Sequence, residues 1–200
     1  FRYYPDNNQF LGYLIKDMET GIKVLREVMV NGFRPSVARA YSEGDAAQHF
    51  YHFHQNRCVL LFMAEGPKGI VQATCQAIEA AVEKFRDGIL EQVDSRLIEN
   101  WFNNLNWSQK DIDDEFEGMK ENDSHAGFTT EISADWETIP MIYNNVMQRI
   151  KTEYPRAHDL TLLGGHSSHS YINGTNMYFV YNYEIHCAPE DEMRVYHHPL

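Results

Sequence analysis

Residues 164–183, GGHSSHSYINGTNMYFVYNY, contain the pattern that decides the fold. From Asn176 onward, apolar and polar side chains alternate with a period of two, which is typical of a strand with one buried face and one free face. The predicted core face consists of Met177, Phe179, Tyr181, Tyr183 and Ile185, and the opposite face mainly of Asn176, Tyr178, Asn182, Glu184 and His186. Asn173-Gly174 precedes this strand, and the dipeptide favours a tight hairpin turn because it tolerates positive φ. The stretch therefore predicts a β-hairpin.

The same hairpin is the first candidate for a chemical site. Gly164-Gly165 and several hydroxyl and imidazole side chains approach the predicted turn. We expect four polar side chains near one end of the hairpin, namely His166, His169, Tyr171 and Tyr178.

Length and composition indicate one folded domain and exclude some partners. The chain has 200 residues, of which 43% are apolar and 13% aromatic, enough for a single core. Its net charge of −12 argues against nucleic acid and against an anionic membrane surface as partners. No apolar run approaches the ~20 residues of a membrane-spanning helix, so no integral membrane segment is expected. Cys58, Cys75 and Cys187 are widely spaced, which favours reduced thiols and a cytoplasmic protein.

The rest of the chain repeats one order of elements. Short apolar runs predict strands at 11–15, 36–41, 59–64, 127–133, 160–163 and 175–186. Helical spacing predicts helices at 18–29, 70–85, 95–118 and 136–150, the first of them capped by Asp17. Each half thus reads strand, helix, strand, strand, which is typical of ferredoxin-like units. We predict an α+β fold in which two ferredoxin-like halves form one antiparallel sheet covered by helices.

Two further features have alternative interpretations. Arg39 lies inside the strand predicted at 36–41, where it is either a solvated edge residue or a cleft residue that holds an anion. Three histidines close together in the sequence, His49, His52 and His54, are suitable metal ligands. No cysteine or carboxylate at regular spacing completes a metal site with them. We therefore predict a mixed aromatic surface loop there and no metal.

Several segments together resemble a known family. FLGYLI (10–15), GFRPSVARAY (32–41), the strand at 58–66 and the hairpin at 168–183 resemble the C-terminal domain of FAD-linked oxidases of the vanillyl-alcohol-oxidase type. The alkylglycerone-phosphate synthases and their uncharacterised bacterial relatives look like the nearest branch. The resemblance implies that residues 1–200 are a substrate-binding cap domain, with FAD held mainly by an N-terminal domain absent from this chain. It also implies that the isolated domain is inactive.

The resemblance also assigns residues. It places Arg39 close to the flavin and the substrate head group, and Tyr178 as general acid or base; an ordinary solvent-facing strand tyrosine is the alternative for Tyr178. His169 and Tyr171 are expected to face substrate or cofactor. The related 2-hydroxyacid dehydrogenases hold a metal with a His-x-Gly-Asp-Gly-Asn-Leu-His pattern at this hairpin. Here the Gly-Asp-Gly core is altered and Tyr178 replaces the second histidine, which counts against a metal.

The leading expectation is the substrate-binding part of a FAD-dependent oxidoreductase or alkylglycerone-phosphate synthase-like enzyme, acting on an oxygenated, anionic small molecule. The alternative is a ferredoxin-like module without catalysis that binds a small ligand or forms a homodimer through exposed sheet edges. A metal hydrolase built on the histidines ranks last. Residues 87–126 are left open between a lid and a partner surface.

Overall fold

The computed structural model describes residues 5, 7–105, 108–121 and 124–200. These residues form seven strands and six α-helices, which occur along the chain as β1 (Asn7–Ile15), α1 (Met18–Val30), β2 (Val37–Tyr41), α2 (Glu43–His49), β3 (Cys58–Gly66), α3 (Lys68–Lys84), β4 (Ile89–Val93), α4 (Ser95–Asn103), α5 (Gln109–Glu121), β5 (His125–Asp135), α6 (Ile139–Glu153), β6 (Leu160–Ser167) and β7 (Gly174–Glu184). A short π-helix, Met193–His197, follows the last strand. No helix in the described ranges is long and apolar enough to cross a membrane.

All seven strands form one sheet with the order β4-β1-β3-β2-β6-β7-β5, and each neighbouring pair is antiparallel. The first four strands follow the ferredoxin-like order, and the last three repeat the order of its first three strands. The halves meet where β2 pairs with β6, with Ala40 opposite Ser167 and Tyr41 opposite His166. The predicted α+β sheet of two ferredoxin-like halves is confirmed.

One face of the sheet carries the main core, packed beneath α1, α3 and α6. The alternation predicted for β7 is correct, because Met177, Phe179 and Tyr181 are buried in this core. Helix α1 lies over the same face with its apolar residues inward, and Asp17 caps it by accepting a hydrogen bond from the Thr20 backbone at 2.8 Å. We refer to this side as the helix face.

The opposite side of the sheet, here called the site face, is only partly covered. A smaller core that includes Leu14, Tyr41, Phe50 and Ile98 packs α2 and α4 over the first half. Over the second half, alternate side chains of β5 and β7 remain partly or fully exposed, namely Thr129, Glu131, Ser133, Tyr178, Val180 and Asn182. The half of the sheet that contains the predicted hairpin therefore presents a polar surface.

A tight turn closes the hairpin at residues 171–174: the Tyr171 backbone N–H donates to the Gly174 carbonyl oxygen at 2.8 Å, and Ser170 pairs with Thr175. The hairpin turn expected at Asn173-Gly174 is therefore confirmed. Neither residue has positive φ, and Gly174 is the first residue of β7, paired with Asp135 of β5. A Cβ at Gly174 would collide with the carbonyl oxygen of Ala134, so glycine is needed here for close approach of two strands. Residues 168–173 connect β6 to β7, and the pairing of Ser170 with Thr175 continues the hairpin into this connection.

Three other segments differ from expectation. Helix α2 and strand β4 were not predicted, because both are too short to show a clear apolar period. The helical region expected at 95–118 is divided into α4 and α5, and residues 106–107 between them lie outside the described residues.

Candidate active site

Three aromatic rings form a row across β2, β6 and β7 on the site face. The ring centroid of His166 lies 4.9 Å from that of Tyr41 and 4.9 Å from that of Tyr178. The strand register produces this row, because Tyr41 is opposite His166 and His166 is opposite Tyr178. Residues directly opposite each other in antiparallel strands point to the same face. We call Tyr41, His166 and Tyr178 the ring row.

Arg39 stands beside the first ring of the row. Its Nη1 donates a hydrogen bond to the Tyr41 hydroxyl at 2.7 Å. Strand β2 lies inside the sheet, and the register pairs Arg39 with Leu61 of β3, whereas the pairs between β2 and β6 are formed by Ala40 and Tyr41. Burial raises the pKa of Tyr41 even though the Arg39 charge acts in the opposite direction. Tyr41 is therefore a neutral support that positions a fixed cation on the site face.

Tyr178 occupies the other end of the ring row. Its hydroxyl donates a hydrogen bond to Oγ1 of Thr129, at 3.0 Å, on the neighbouring strand β5. The ring is only partly buried, and Glu131 lies directly opposite it in the strand register. The phenol thus faces the open surface beside hydrogen-bonding groups.

The central ring of the row is held by a buried carboxylate. Oδ2 of Asp45, in the first turn of α2, lies 2.6 Å from Nδ1 of His166, and the Asp45 side chain is fully buried. Its other oxygen lies 3.3 Å from Nε2 of His49. Burial opposes ionisation of Asp45, but the hydrogen bond from His166 and the nearby His49 ring outweigh it and hold the pKa of this carboxyl below its usual value. A carboxylate only accepts, so the proton of neutral His166 resides on Nδ1.

His169 and Tyr171 lie beyond the ring row, in or next to the connection between β6 and β7. Nδ1 of His169 lies 3.9 Å from the Glu131 carboxylate, and 64% of the His169 side chain is exposed. Tyr171 is 61% exposed and lines a shallow depression with Asp135 and Gly174 at the strand ends. Arg39 and Tyr178 therefore lie at the two ends of the ring row. His169 lies at its margin, and Tyr171 lies outside it.

Two residues of this arrangement were missed by sequence reasoning. Tyr41 follows Arg39 at the two-residue spacing of one strand face, which was a usable signal. Asp45 gave only the signal of an acidic residue in a helix first turn after the cap Ser42. Its contact with His166 joins residues 121 positions apart and has no local signature.

The three histidines of residues 49–54 have separate partners. His49 pairs with Asp45, the His52 ring lies 3.8 Å from the Tyr51 ring, and Nδ1 of His54 accepts a hydrogen bond from the Asn56 backbone. Throughout the described ranges, no three His, Cys, Asp or Glu side chains are grouped in a way that would hold a metal ion.

Comparison with known proteins identifies the family. The family of FAD linked oxidases, C-terminal domain, matches residues 4–198. The chain belongs to this family. The resemblance seen in the sequence is thereby confirmed, and FAD is the cofactor with which such domains are associated.

Two curated relatives cover the whole chain. It is 51% identical over 201 aligned positions to the uncharacterized FAD-linked oxidoreductase YgcU of Escherichia coli O157:H7, and 50% identical to the YgcU protein of Escherichia coli strain K12. The alignments include 100% of this chain but 41% of each relative. The chain therefore spans about two fifths of the length of these FAD-linked proteins.

Solved structures share the fold at low sequence identity. Two structures of alkyldihydroxyacetonephosphate synthase superpose with TM-scores of 0.68 and 0.69, at 14% and 13% identity. They cover 92% and 99% of this chain, which corresponds to 38% and 39% of those proteins. The p-cresol methylhydroxylase structure gives a TM-score of 0.57 at 12% identity, over 90% of this chain and 39% of that protein. At these identities the likeness shows the fold alone.

Proposed function

We propose that this domain supplies the substrate side of the active site in a FAD-dependent oxidoreductase. The observation that carries the proposal is the site face of β2, β6 and β7, where Arg39, His166 and Tyr178 keep partly exposed side chains in a chain of the FAD-linked oxidase family. Both YgcU relatives are FAD-linked oxidoreductases of more than twice this length. Residues 1–200 are then the cap domain, and a separate N-terminal domain holds most of the FAD.

The chemistry of the site face fits one end of FAD. Side-by-side rings with hydroxyl and imidazole groups at their edges suit a planar, polar-edged ring system such as isoalloxazine. The bound flavin supplies the electron transfer, while the residues of this chain bind and orient the substrate and move its protons. With only the cap side of such a site, the isolated domain is expected to be inactive.

The candidate residues have separate roles in this proposal. Arg39 binds an anionic group of the substrate, since its guanidinium keeps its charge and offers several fixed donors. Tyr178 exchanges a proton with the substrate oxygen or holds it by a hydrogen bond. His169, at the margin beside Glu131, contacts the more distant part of the substrate. Tyr171 has this role only if the connection at 168–173 moves toward the ring row.

An absorbance experiment on the full-length protein tests the proposal. We expect a bound flavin whose absorbance near its visible maximum falls when a 2-hydroxy acid such as lactate or 2-hydroxyglutarate is added without oxygen. A Tyr178→Phe variant should retain the flavin spectrum and lose most of this reduction. Tyr51→Phe is the matched control, because Tyr51 is exposed outside the site face.

The outcomes separate the two classes of function that the sequence left open. A colourless protein that takes up no added FAD would contradict the proposal and favour a non-catalytic ligand-binding or dimerisation module. A flavoprotein that replaces the acyloxy group of an acylglycerone phosphate by the alkoxy group of an alcohol, with release of the carboxylate and no net flavin reduction, would indicate a redox-neutral synthase reaction in place of oxidation.

A further inference from the structure

The contact between Asp45 and His166 is more than a link between α2 and the sheet. We propose that His166, oriented by Asp45, accepts the proton of a substrate hydroxyl group at its Nε2 atom. The inference rests on the proposed function and assigns its substrate to the alcohols, with the reacting hydroxyl placed beside Nε2 of His166 and the Tyr178 hydroxyl.

The orientation of the imidazole is fixed on every side that the structure describes. The ring lies between those of Tyr41 and Tyr178, and Nδ1 is 2.6 Å from the Asp45 carboxylate. Strand pairing holds the backbone of His166 opposite both neighbours. Such a ring needs no rearrangement before it meets a substrate, which is the condition for efficient proton transfer.

The second nitrogen of the ring is available. Among the described residues none forms a hydrogen bond with Nε2 of His166, and this atom is not one of the enclosed polar atoms left without a partner. The side chain keeps 15% of its surface exposed on the site face. Because the Asp45 carboxylate places the proton on Nδ1, Nε2 has a free lone pair that points away from α2. An atom with this lone pair on an open face is a hydrogen-bond acceptor and a base.

The Asp45 carboxylate favours proton uptake by His166. Its charge is retained in a fully buried position, where it would stabilise the imidazolium that forms when His166 takes up a proton. A neutral imidazole is a good base near pH 7, whereas a neutral phenol is chiefly a donor. His166 therefore accepts the proton of the substrate hydroxyl, and Tyr178 donates a hydrogen bond to the same substrate oxygen.

The step balances with FAD as the oxidant that the family supplies. The substrate O–H bond breaks and its proton binds Nε2, while the hydrogen on the same carbon leaves with two electrons to the flavin and the carbon–oxygen bond becomes double. The charged or titratable groups that face His166 from the surrounding elements are Arg39, Tyr41, Asp45, His49, Glu131 and Tyr178.

A purely structural role would make His166 dispensable once its bond to Asp45 is preserved. His166→Asn supplies this test, because the asparagine amide can still donate to Asp45 but has no base at the Nε2 position. We expect unchanged thermal unfolding and a fall of about 10²–10⁴-fold in the rate of flavin reduction by a 2-hydroxy acid in the full-length protein. The matched control is His158→Asn, since His158 is exposed and contacts Asp159 rather than the ring row.

The pH dependence of the flavin reduction rate distinguishes the role of His166 from that of Asp45. In the wild type the reduction rate should fall on the acidic side as one group is protonated, and this limb should be absent in His166→Asn. In Asp45→Asn the limb should move to lower pH, because loss of the carboxylate disfavours the imidazolium. A wild-type limb that persists unchanged in His166→Asn would overturn the inference.

Nitrogen NMR of ¹⁵N-histidine in this chain gives a second measurement that needs no flavin. At alkaline pH, where histidines are neutral, wild type should show the His166 proton on Nδ1, and Asp45→Asn should show a mixture of tautomers. A proton on Nε2 in the wild type would refute the assignment. Equal reduction rates in wild type and His166→Asn would refute the inference alone, whereas no reduction of the wild type by any 2-hydroxy acid would refute the proposed function and the inference with it.

Discussion

Gly164 of β6 lies directly against Asp45 of α2: a Cβ added at Gly164 would be 2.5 Å from the Asp45 backbone nitrogen and 2.8 Å from its Cβ. Gly44 makes the reciprocal approach, since its Cβ would collide with the carbonyl oxygen of Leu163. Missing side chains on both surfaces let the short helix lie close to the sheet. This contact places the Asp45 carboxylate beside His166. The hydrogen bond between these two side chains therefore depends on the close packing of the two glycines.

Gly164→Ala should therefore separate α2 from β6. The added methyl group meets backbone atoms that cannot rotate away, and we expect a loss of about 1–3 kcal/mol in the free energy of unfolding. Urea unfolding of the chain measures this change. Gly69→Ala in α3 is the control, because no atom lies within 4 Å of its added Cβ. Equal stability of the two variants would show that α2 does not depend on this close approach.

Asp45→Asn should weaken the fold in a pH-dependent way. Against the effect of burial, the hydrogen bond from His166 and the nearby His49 ring hold the pKa of Asp45 below its usual value of 3.8. The stabilisation by Asp45 is therefore present above the unfolded-state pKa and is lost as the pH falls through the folded-state pKa. We expect the variant to be less stable than wild type by about 1–3 kcal/mol at pH 5, because a buried charged partner is lost.

That difference should narrow as the pH is lowered from 5 to 3, where histidines are already protonated in the unfolded chain. Urea midpoints across this range check the trend. Glu190→Gln, an exposed substitution, serves as the control for loss of one carboxylate. A difference that stays constant with pH would mean that the Asp45 charge does not contribute.

The sequence predicted those parts of the site that depend on one strand. The alternation in β7 correctly placed Tyr178 opposite the core residues, and the spacing in β2 placed Arg39 on the face opposite Ala38 and Ala40. Both inferences need only the two-residue period of a strand. The strand order of each half followed from the same local patterns together with the ferredoxin-like connection rule.

The remaining parts depend on contacts between distant segments. Asn173-Gly174 correctly marked the hairpin turn, but the pairing of Gly174 with Asp135 of β5 had no local signal. Nothing near Arg39 reveals that β2 joins the two halves and is therefore an interior strand. Helix α2 is too short for a helical period to be visible, so Asp45 was not placed beside His166.

Asn176→Ala should loosen the connection between β6 and β7. Asn176 is buried, and its Oδ1 accepts hydrogen bonds from the backbone nitrogens of Ser168 and His169, both at 2.8 Å, while its Nδ2 donates to Glu131 at 2.7 Å. Alanine leaves two backbone donors without this acceptor, which should cost about 1–3 kcal/mol. Amide hydrogen exchange at Ser168 and His169 should become faster.

The control for Asn176 is Asn182→Ala, farther along the same face of β7 and partly exposed. It should leave exchange at Ser168 and His169 unchanged. Unaltered exchange in Asn176→Ala would mean that other contacts order this connection.

Arg39→Gln should weaken binding of anionic substrates without unfolding the protein. Glutamine can still donate to the Tyr41 hydroxyl but lacks the charge, so the effect on an anion is separated from the effect on packing. In the full-length flavoprotein we expect kcat/KM for a 2-hydroxy acid to fall by about 10²-fold, in line with loss of a charge-assisted hydrogen bond. The fall should come mainly from KM, because Arg39 binds the carboxylate equally in the ground state and in the transition state.

A neutral substrate makes the test specific. The matching 1,2-diol, such as propane-1,2-diol for lactate, has the same reacting hydroxyl without the carboxylate, and its kcat/KM should change by less than about threefold, since it never gained the ion pair. Arg57→Gln, at an exposed arginine before β3, should affect neither substrate. If the acid and the diol lose activity equally in Arg39→Gln, the arginine acts through the position of Tyr41 and the ring row. In that event the anion-binding role passes to another cation, and the specificity of the site for acids has a different origin.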